Sequence, residues 1–285
     1  MFFFTICRFS SLNSSLSSQN TVFCHFLGMS IPWLHGNGFV VVFLPRQNEQ
    51  RKMKNRICTF GDSIMRGVVS DEKSSDGKPI YKVSDLGFVN RCEHRLGVKI
   101  LNFACFGSTT SQGMKYINRY EDQMKDTDIA VFEYGGNDCD FDWKAVADAP
   151  WQPHQPKVTL ANFVRQYEAL INKVKSMKIR PVIMSMPLID PDRFFEFLSL
   201  GLNKDNILGW LGGKTMRIYQ WHEMYNVELF KMSNQLKVPI IDITTPFLET
   251  LNYSDYLCAD GIHPNERGHA LIADTVASLA PNYLN

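Results

Sequence analysis

Short apolar runs alternate with longer amphipathic segments along most of the chain, from about Met53 to the C-terminus. The first apolar run ends at Gly61, and the runs resemble the buried strands of a parallel sheet rather than strands with one wet face. We therefore predict five strands, at residues 57–60, 98–106, 129–134, 182–184 and 238–243.

The segments between these runs carry apolar residues at helical spacing. Residues 160–177 show this best, because an apolar residue recurs every three or four positions behind the N-cap candidate Thr159. Further helices are predicted at residues 88–96, 215–236 and 265–279. Strands that alternate with helices form a parallel sheet covered on both faces through right-handed crossovers, so the pattern predicts the α/β class.

Polar motifs follow four of the five predicted strands. Ser63 follows the first strand, Gly107 the second, Asn137 the third, and the pair Asp260 and His263 the fifth. Ligands of open α/β sheets bind at the carboxyl ends of the strands, and these motifs should meet at that edge. The sequence therefore predicts one site built from four separate segments.

Serine, carboxylate and imidazole together can make a nucleophile. A serine hydroxyl attacks an ester only if a base removes its proton, and a histidine oriented by a carboxylate suits that task. Ser63 lies in Gly-Asp-Ser-Ile, and Asp260 and His263 lie in Asp-Gly-Ile-His-Pro, where a turn can bring both side chains to one side. The plainer alternatives are a capped strand-to-helix turn at Ser63 and a helix-capping loop at Asp260. The motif is not a G-x-S-x-G elbow, since Met65 replaces its second glycine.

Acyl transfer also needs donors for the oxyanion that forms. Gly107 could offer its backbone N–H, and Asn137, in Gly-Gly-Asn-Asp, its side-chain amide. Each segment taken singly is also a common turn sequence, so both interpretations stay open at this point.

The four segments together resemble the SGNH (GDSL-type) hydrolase family. All of its blocks occur in order between residues 57 and 280, with Ile64 where the family usually has leucine. The resemblance implies a three-layer α/β/α sandwich with a five-stranded parallel, flavodoxin-like sheet. It also implies Ser63 as the nucleophile of a triad with Asp260 and His263, and an oxyanion hole made by the N–H groups of Ser63 and Gly107 and the Asn137 amide.

Composition narrows the possible partners. A net charge of +1 without a basic run argues against nucleic-acid binding, and seven cysteines without CxxC spacing argue against a disulfide framework or a cysteine zinc site. The cysteines favour a reducing compartment, so we expect a soluble cytoplasmic domain that acts on a small-molecule ester. No motif indicates a metal or an organic cofactor, and the oligomeric state is not readable from the sequence.

Residues 1–52 differ from the rest of the chain. Their first acidic residue is Glu49, and residues 21–45 are apolar but interrupted by two histidines, an asparagine and a proline. We expect an extension outside the fold, upstream of a translation start at Met53, with residues 53–285 as the hydrolase domain. A membrane anchor at residues 21–45 is the alternative. A span needs about 20 apolar residues, however, and the two histidines, the asparagine and the proline interrupt this segment. A secretory signal would want a basic start, which Met1 and the three phenylalanines after it do not offer.

Two predicted insertions border the site and carry aromatic side chains. Residues 139–157 contain Trp143 and His154, and residues 188–213 contain Trp210. These three are candidate substrate-binding residues, although the aromatic side chains could simply pack the insertions onto the domain. We expect an esterase for short-acyl esters, including acetylated carbohydrates. Two alternatives remain open, namely a lysophospholipase or lipase held at a membrane and a non-catalytic binding protein on the same fold.

Overall fold

The computed structural model describes residues 24–26, 29–31, 56–73 and 79–281, with backbone alone in the first two segments and in 71–73. The chain divides into two compact units, Met1–Arg51 and Lys52–Asn285. In the first unit, strands β1 (Cys24–Phe26) and β2 (Met29–Ile31) pair antiparallel. The expectations for residues 1–52 otherwise lie outside the described residues. In the part of the chain that is described, no helix is both long and apolar enough to cross a membrane.

The second unit is built on a five-stranded parallel sheet in the order β6-β3-β7-β8-β9. Renumbered along the sheet's own strands this is 2-1-3-4-5, the flavodoxin-like order, and the predicted fold class is confirmed. An antiparallel hairpin, β4–β5, follows the first sheet strand. The strands are β3 (Arg56–Gly61), β4 (Val68–Lys73), β5 (Pro79–Val83), β6 (Lys99–Asn102), β7 (Ile129–Glu133), β8 (Arg180–Met184) and β9 (Ile240–Ile241).

Both faces of the sheet are covered, which explains the continuous apolar runs. Phe60 and Phe132 point to one face and pack with helices α3, α5 and α8, whereas Ile57 and Val131 point to the other, towards α2, α9 and α10. The helices are α1 (Ser63–Arg66), α2 (Phe88–Leu96), α3 (Thr110–Tyr120), α4 (Trp143–Asp148), α5 (Leu160–Ser176), α6 (Pro191–Leu198), α7 (Lys204–Trp210), α8 (Met216–Leu236), α9 (Thr244–Leu248) and α10 (Glu266–Leu279).

The predicted helices agree with α2, α5, α8 and α10 to within about a residue, but two strands are shorter than predicted. Strand β6 ends at Asn102, because this side chain accepts from the Ala104 N–H at 3.1 Å and donates to the Met65 carbonyl at 2.9 Å. Strand β9 contains two residues. Helix α3, the β4–β5 hairpin and the short helices of the two insertions were not predicted from the sequence.

Candidate active site

Ser63, His263 and Asp260 form one hydrogen-bonded array at the carboxyl end of β3. The Ser63 Oγ lies 2.9 Å from His263 Nε2, and His263 Nδ1 lies 2.7 Å from Asp260 Oδ2. Because an ionised carboxylate only accepts hydrogen bonds, Nδ1 carries the imidazole proton and Nε2 is left as the acceptor for the serine hydroxyl. All three side chains are buried.

The turn before α10 fixes the orientation of the carboxylate. Asp260 Oδ1 accepts from the backbone N–H groups of Ile262 and His263, both at 3.1 Å, which leaves Oδ2 for the imidazole. Gly261 has φ +76°, and a Cβ there would lie 2.7 Å from the Asp190 carbonyl oxygen at the start of α6. This position therefore requires glycine both for its conformation and for the close approach of α6.

Charge and packing favour an ionised Asp260 beside an enclosed imidazole. Burial alone would raise the Asp260 pKa, but the hydrogen bond and charge of His263 outweigh it and hold the pKa below its ordinary value. The rings of Tyr81 and Phe106 lie 5.1 and 6.2 Å from the His263 ring. By contrast, burial lowers the pKa of His269 to about 4, so that this buried histidine stays neutral at neutral pH.

Asp62 links the serine turn to Asn137. As the N-cap of α1, it accepts from the Ile64 N–H at 2.9 Å, and its other carboxyl oxygen accepts from Asn137 Nδ2 at 2.8 Å. An amide nitrogen has two N–H bonds, so Asn137 keeps one for another acceptor. The capped-turn interpretation and the nucleophile interpretation of this segment are therefore compatible.

Gly61 is required by a close contact rather than by its backbone conformation. It is not among the residues with positive φ, but a Cβ at this position would lie 2.5 Å from the Glu133 carbonyl oxygen and 2.8 Å from Met65 Cβ. The glycine is needed because β3 and α1 pack closely against the end of β7.

Gly107 lies in a tight turn next to the array. Cys105 accepts from the Ser108 N–H at 3.1 Å, and Gly107 has φ +68° at the third position, as in a type II turn. Among the described residues, the Gly107 N–H has no hydrogen-bond acceptor. Its neighbour Phe106 is 59% exposed, stacks on His263 and lines the cavity described below.

The segments that carry Gly107 and Asn137 are tied together by Asp138. This buried carboxyl group accepts from the Thr110 N–H at 3.0 Å, at the N-terminus of α3. Burial raises its pKa to about 7. Sequence reasoning did not single out Asp138, because its partner lies 28 positions away.

A cavity of about 560 Å³ opens beside Ser63. Trp143 and Trp210, two of the candidate substrate residues, line it. The third candidate, His154, is not among the lining residues: its Nε2 lies 3.0 Å from the Ala149 carbonyl oxygen, and its ring packs edge-on against Trp210. The rest of the lining is mostly aliphatic and aromatic, and includes Tyr81, Phe106, Phe141, Phe194, Phe197, Leu198, Leu200, Leu211, Ile218, Trp221 and Ile262.

The sheet order and the hydrogen-bonded array at the sheet edge are the features that an ester hydrolase of flavodoxin-like architecture needs. Residues 59–271 match the model of the GDSL-like lipase/acylhydrolase family, and the chain belongs to that family. The predicted resemblance is thereby confirmed.

Individual relatives agree with this assignment. The isoamyl acetate-hydrolyzing esterase of Saccharomyces cerevisiae is 23% identical over 229 residues, which cover 80% of this chain and 87% of that protein. A lipase/acylhydrolase from Enterococcus faecalis has a similar fold, with a TM-score of 0.55 and 22% identity over 81% of this chain and 97% of that chain. An acetylxylan esterase from Geobacillus stearothermophilus has a TM-score of 0.52 and 17% identity over 79% and 92% of the two chains.

Proposed function

We propose that this ester hydrolase works through an acyl-enzyme on Ser63. The observation that carries the proposal is the continuous chain from Asp260 through His263 to Ser63, with contacts of 2.7 and 2.9 Å, at the wall of a cavity. A hydroxyl bonded to an imidazole that a carboxylate orients has the arrangement needed for nucleophilic attack.

In the proposed first step, Ser63 Oγ attacks the ester carbonyl carbon while its proton passes to His263 Nε2. The backbone N–H groups of Ser63 and Gly107 and the second N–H of Asn137 then stabilise the oxyanion. The C–O bond to the alcohol breaks as His263 returns the proton to the departing oxygen. Water repeats the sequence on the acyl-enzyme and releases the acid.

We further propose short-acyl esters of small, uncharged alkyl alcohols as substrates. The mostly apolar cavity wall supports this, because burial of alkyl carbons is worth about 0.8 kcal/mol per methylene. Trp143 and Trp210 pack edge-to-face against each other, with centroids 6.1 Å apart, as parts of a hydrophobic wall. The similarity to an isoamyl acetate-hydrolyzing esterase points in the same direction.

Two measurements test these proposals. Ser63→Ala should abolish hydrolysis of p-nitrophenyl acetate and labelling by a fluorophosphonate, whereas the control Ser278→Ala, on the exposed surface of α10, should keep both. Unchanged hydrolysis by Ser63→Ala would refute the nucleophile. For the substrate, kcat/KM for isoamyl acetate should exceed that for acetylated xylo-oligosaccharides, and the reverse order would favour the carbohydrate alternative.

We also propose that residues 53–285 are the hydrolase domain, in the cytoplasm. The family match at residues 59–271 and the compact unit Lys52–Asn285 support the boundary, and the free thiols of Cys58, Cys92, Cys105 and Cys139 suit a reducing compartment. A chain of residues 53–285 should retain the kcat of the full chain. The mass of the N-terminal peptide of the native protein tests the translation start, and cell fractionation tests the compartment.

A further inference from the structure

Glu133 is a buried acid directly beneath the serine turn. It is the last residue of β7, pairs with Gly61 across the sheet and is fully buried. Its carboxyl oxygen Oε2 lies 3.1 Å from the position that a Gly61 Cβ would occupy. Within the described residues, neither carboxyl oxygen has a hydrogen-bond partner. Buried polar groups without partners are costly, so this one requires an explanation.

The group next to it is Asp62. Asp62 is also buried, but its two oxygens accept from the Ile64 N–H and from Asn137 Nδ2. Two ionised carboxylates can only accept hydrogen bonds and would repel each other in a dry environment. One proton on Glu133 removes the repulsion and supplies the missing donor.

The surroundings favour a proton on Glu133 rather than on Asp62. Burial, followed by the charge of Asp62, raises the pKa of Glu133 well above its ordinary value and outweighs the nearby backbone N–H groups of Met65 and Asp62, which act in the opposite direction. Burial also raises the pKa of Asp62, but hydrogen bonds from Ile64 and Asn137 and the charge of His263 act in the opposite direction. The proton therefore belongs to Glu133, which forms no hydrogen bond of ordinary geometry to a described donor, rather than to Asp62, which accepts two.

Other polar groups near Glu133 do not replace this proton. Tyr134 and Tyr167 belong to the cluster on the Phe132 face of the sheet, whereas Glu133, by strand alternation, points to the Val131 face. The Tyr167 hydroxyl donates to the Phe132 carbonyl at 2.9 Å, and Asp138 is bonded to Thr110. Asp62 is the neighbour whose carboxyl group lies within hydrogen-bonding range of the Glu133 carboxyl group.

We propose that Glu133 is a positioning residue, whose neutral carboxyl group donates a hydrogen bond to Asp62 and thereby orients the Asn137 amide and the Ser63 turn. Glu133 does not touch the ester. It fixes the Asp62 carboxylate, which in turn accepts from the Asn137 amide. The inference rests on the roles proposed above for Ser63 and Asn137.

Substitutions at Glu133 separate this role from simple packing. In Glu133→Gln the amide N–H can replace the acid O–H as donor, so kcat should stay within about threefold of the parent enzyme. Glu133→Leu fills the space without a donor, and kcat for p-nitrophenyl acetate should fall about 10²-fold with KM changed less than threefold, as for a displaced oxyanion donor. Full activity in the leucine variant, or an equal loss in both variants, would overturn the inference.

Infrared spectroscopy tests the proton itself and does not need the leucine variant to fold. The difference spectrum of the parent enzyme minus Glu133→Gln at neutral pH should contain the C=O stretch of a protonated carboxylic acid. A carboxylate band in its place would overturn the inference. Fluorophosphonate labelling distinguishes the two proposals: an unlabelled parent would overturn both, whereas a labelled parent with a fully active leucine variant would overturn this one alone.

Discussion

Replacement of Asp260 by asparagine tests how the array sets the histidine tautomer. In the parent, one oxygen of Asp260 accepts from two backbone N–H groups and the other accepts from His263 Nδ1. Asparagine has a single side-chain oxygen. The two backbone donors retain that oxygen, so the NH₂ group faces the imidazole. His263 must then accept at Nδ1 and carry its proton on Nε2, where it can no longer take the proton of Ser63.

The expected loss follows from that change. Inversion of the tautomer at a comparable triad lowers kcat by about 10⁴-fold, which corresponds to about 5.5 kcal/mol of transition-state stabilisation. Stability should change little, because the asparagine keeps both backbone hydrogen bonds and remains a similar size.

The assay is kcat for p-nitrophenyl acetate, measured with the melting temperature of each variant. Asp242→Asn is the matched control: Asp242 also accepts backbone N–H groups, from Thr244 and Thr245, but lies away from the array. The control should keep at least half of the parent kcat. A folded Asp260→Asn enzyme with kcat within tenfold of the parent would refute the argument about the tautomer.

Further predictions concern the oxyanion donors and Asp138. Asn137→Ala should lower kcat about 10²–10³-fold, while Asn162→Ala on α5 should not, in the same assay. Gly107→Ala and Gly97→Ala should each cost about 1–2 kcal/mol of unfolding free energy, since both have positive φ and open space for a Cβ, but only Gly107→Ala should also lower kcat. The raised pKa of Asp138, about 7, means that the folded protein binds the proton more tightly than the unfolded chain. The stabilisation of the folded protein by this proton is complete below the ordinary pKa near 3.8 and is lost as the pH rises through 7. Asp138→Asn should therefore reduce the difference between the free energies of unfolding measured in urea at pH 5 and at pH 8.

Each of these has a contrary outcome. Equal kcat values for the two asparagine variants would remove Asn137 from the oxyanion hole. Equal kcat values for the two glycine variants would show that the alanine Cβ leaves the direction of the Gly107 N–H unchanged. An unchanged difference in stability between pH 5 and pH 8 would mean that Asp138 is ionised in the folded protein throughout that range.

The sheet could be predicted from the sequence because its strands are buried on both faces. Ile57 and Phe60 enter opposite clusters, so the apolar run shows no alternation and has a clear end at Gly61. Helix α3 was missed because its first turn lacks an apolar pattern. It begins Thr-Ser-Gln-Gly, and its N-terminus is held by Thr109 and by the distant Asp138 rather than by an apolar pattern.

The candidate site was predictable in part. Ser63, Asp260 and His263 lie in short motifs with glycine at positions that the turns or close contacts require, and such motifs can be read without a structure. Tyr81 and Glu133 could not be found in this way. Tyr81 reaches His263 from a hairpin that the apolar pattern does not indicate, and Glu133 is typical of the end of an ordinary strand until its pairing with Gly61 is known.

The cavity wall has its own hydrophobic cluster. Helices α4, α6 and α7, from the two insertions, pack around Phe141, Phe194 and Ile207, apart from the two clusters that flank the sheet. Under the proposed function, the reaction would belong to the sheet edge, whereas the choice of ester would belong to this third cluster. We therefore expect new substrate preferences from randomising α7, with α6 left unchanged because its start packs against the Gly261 turn.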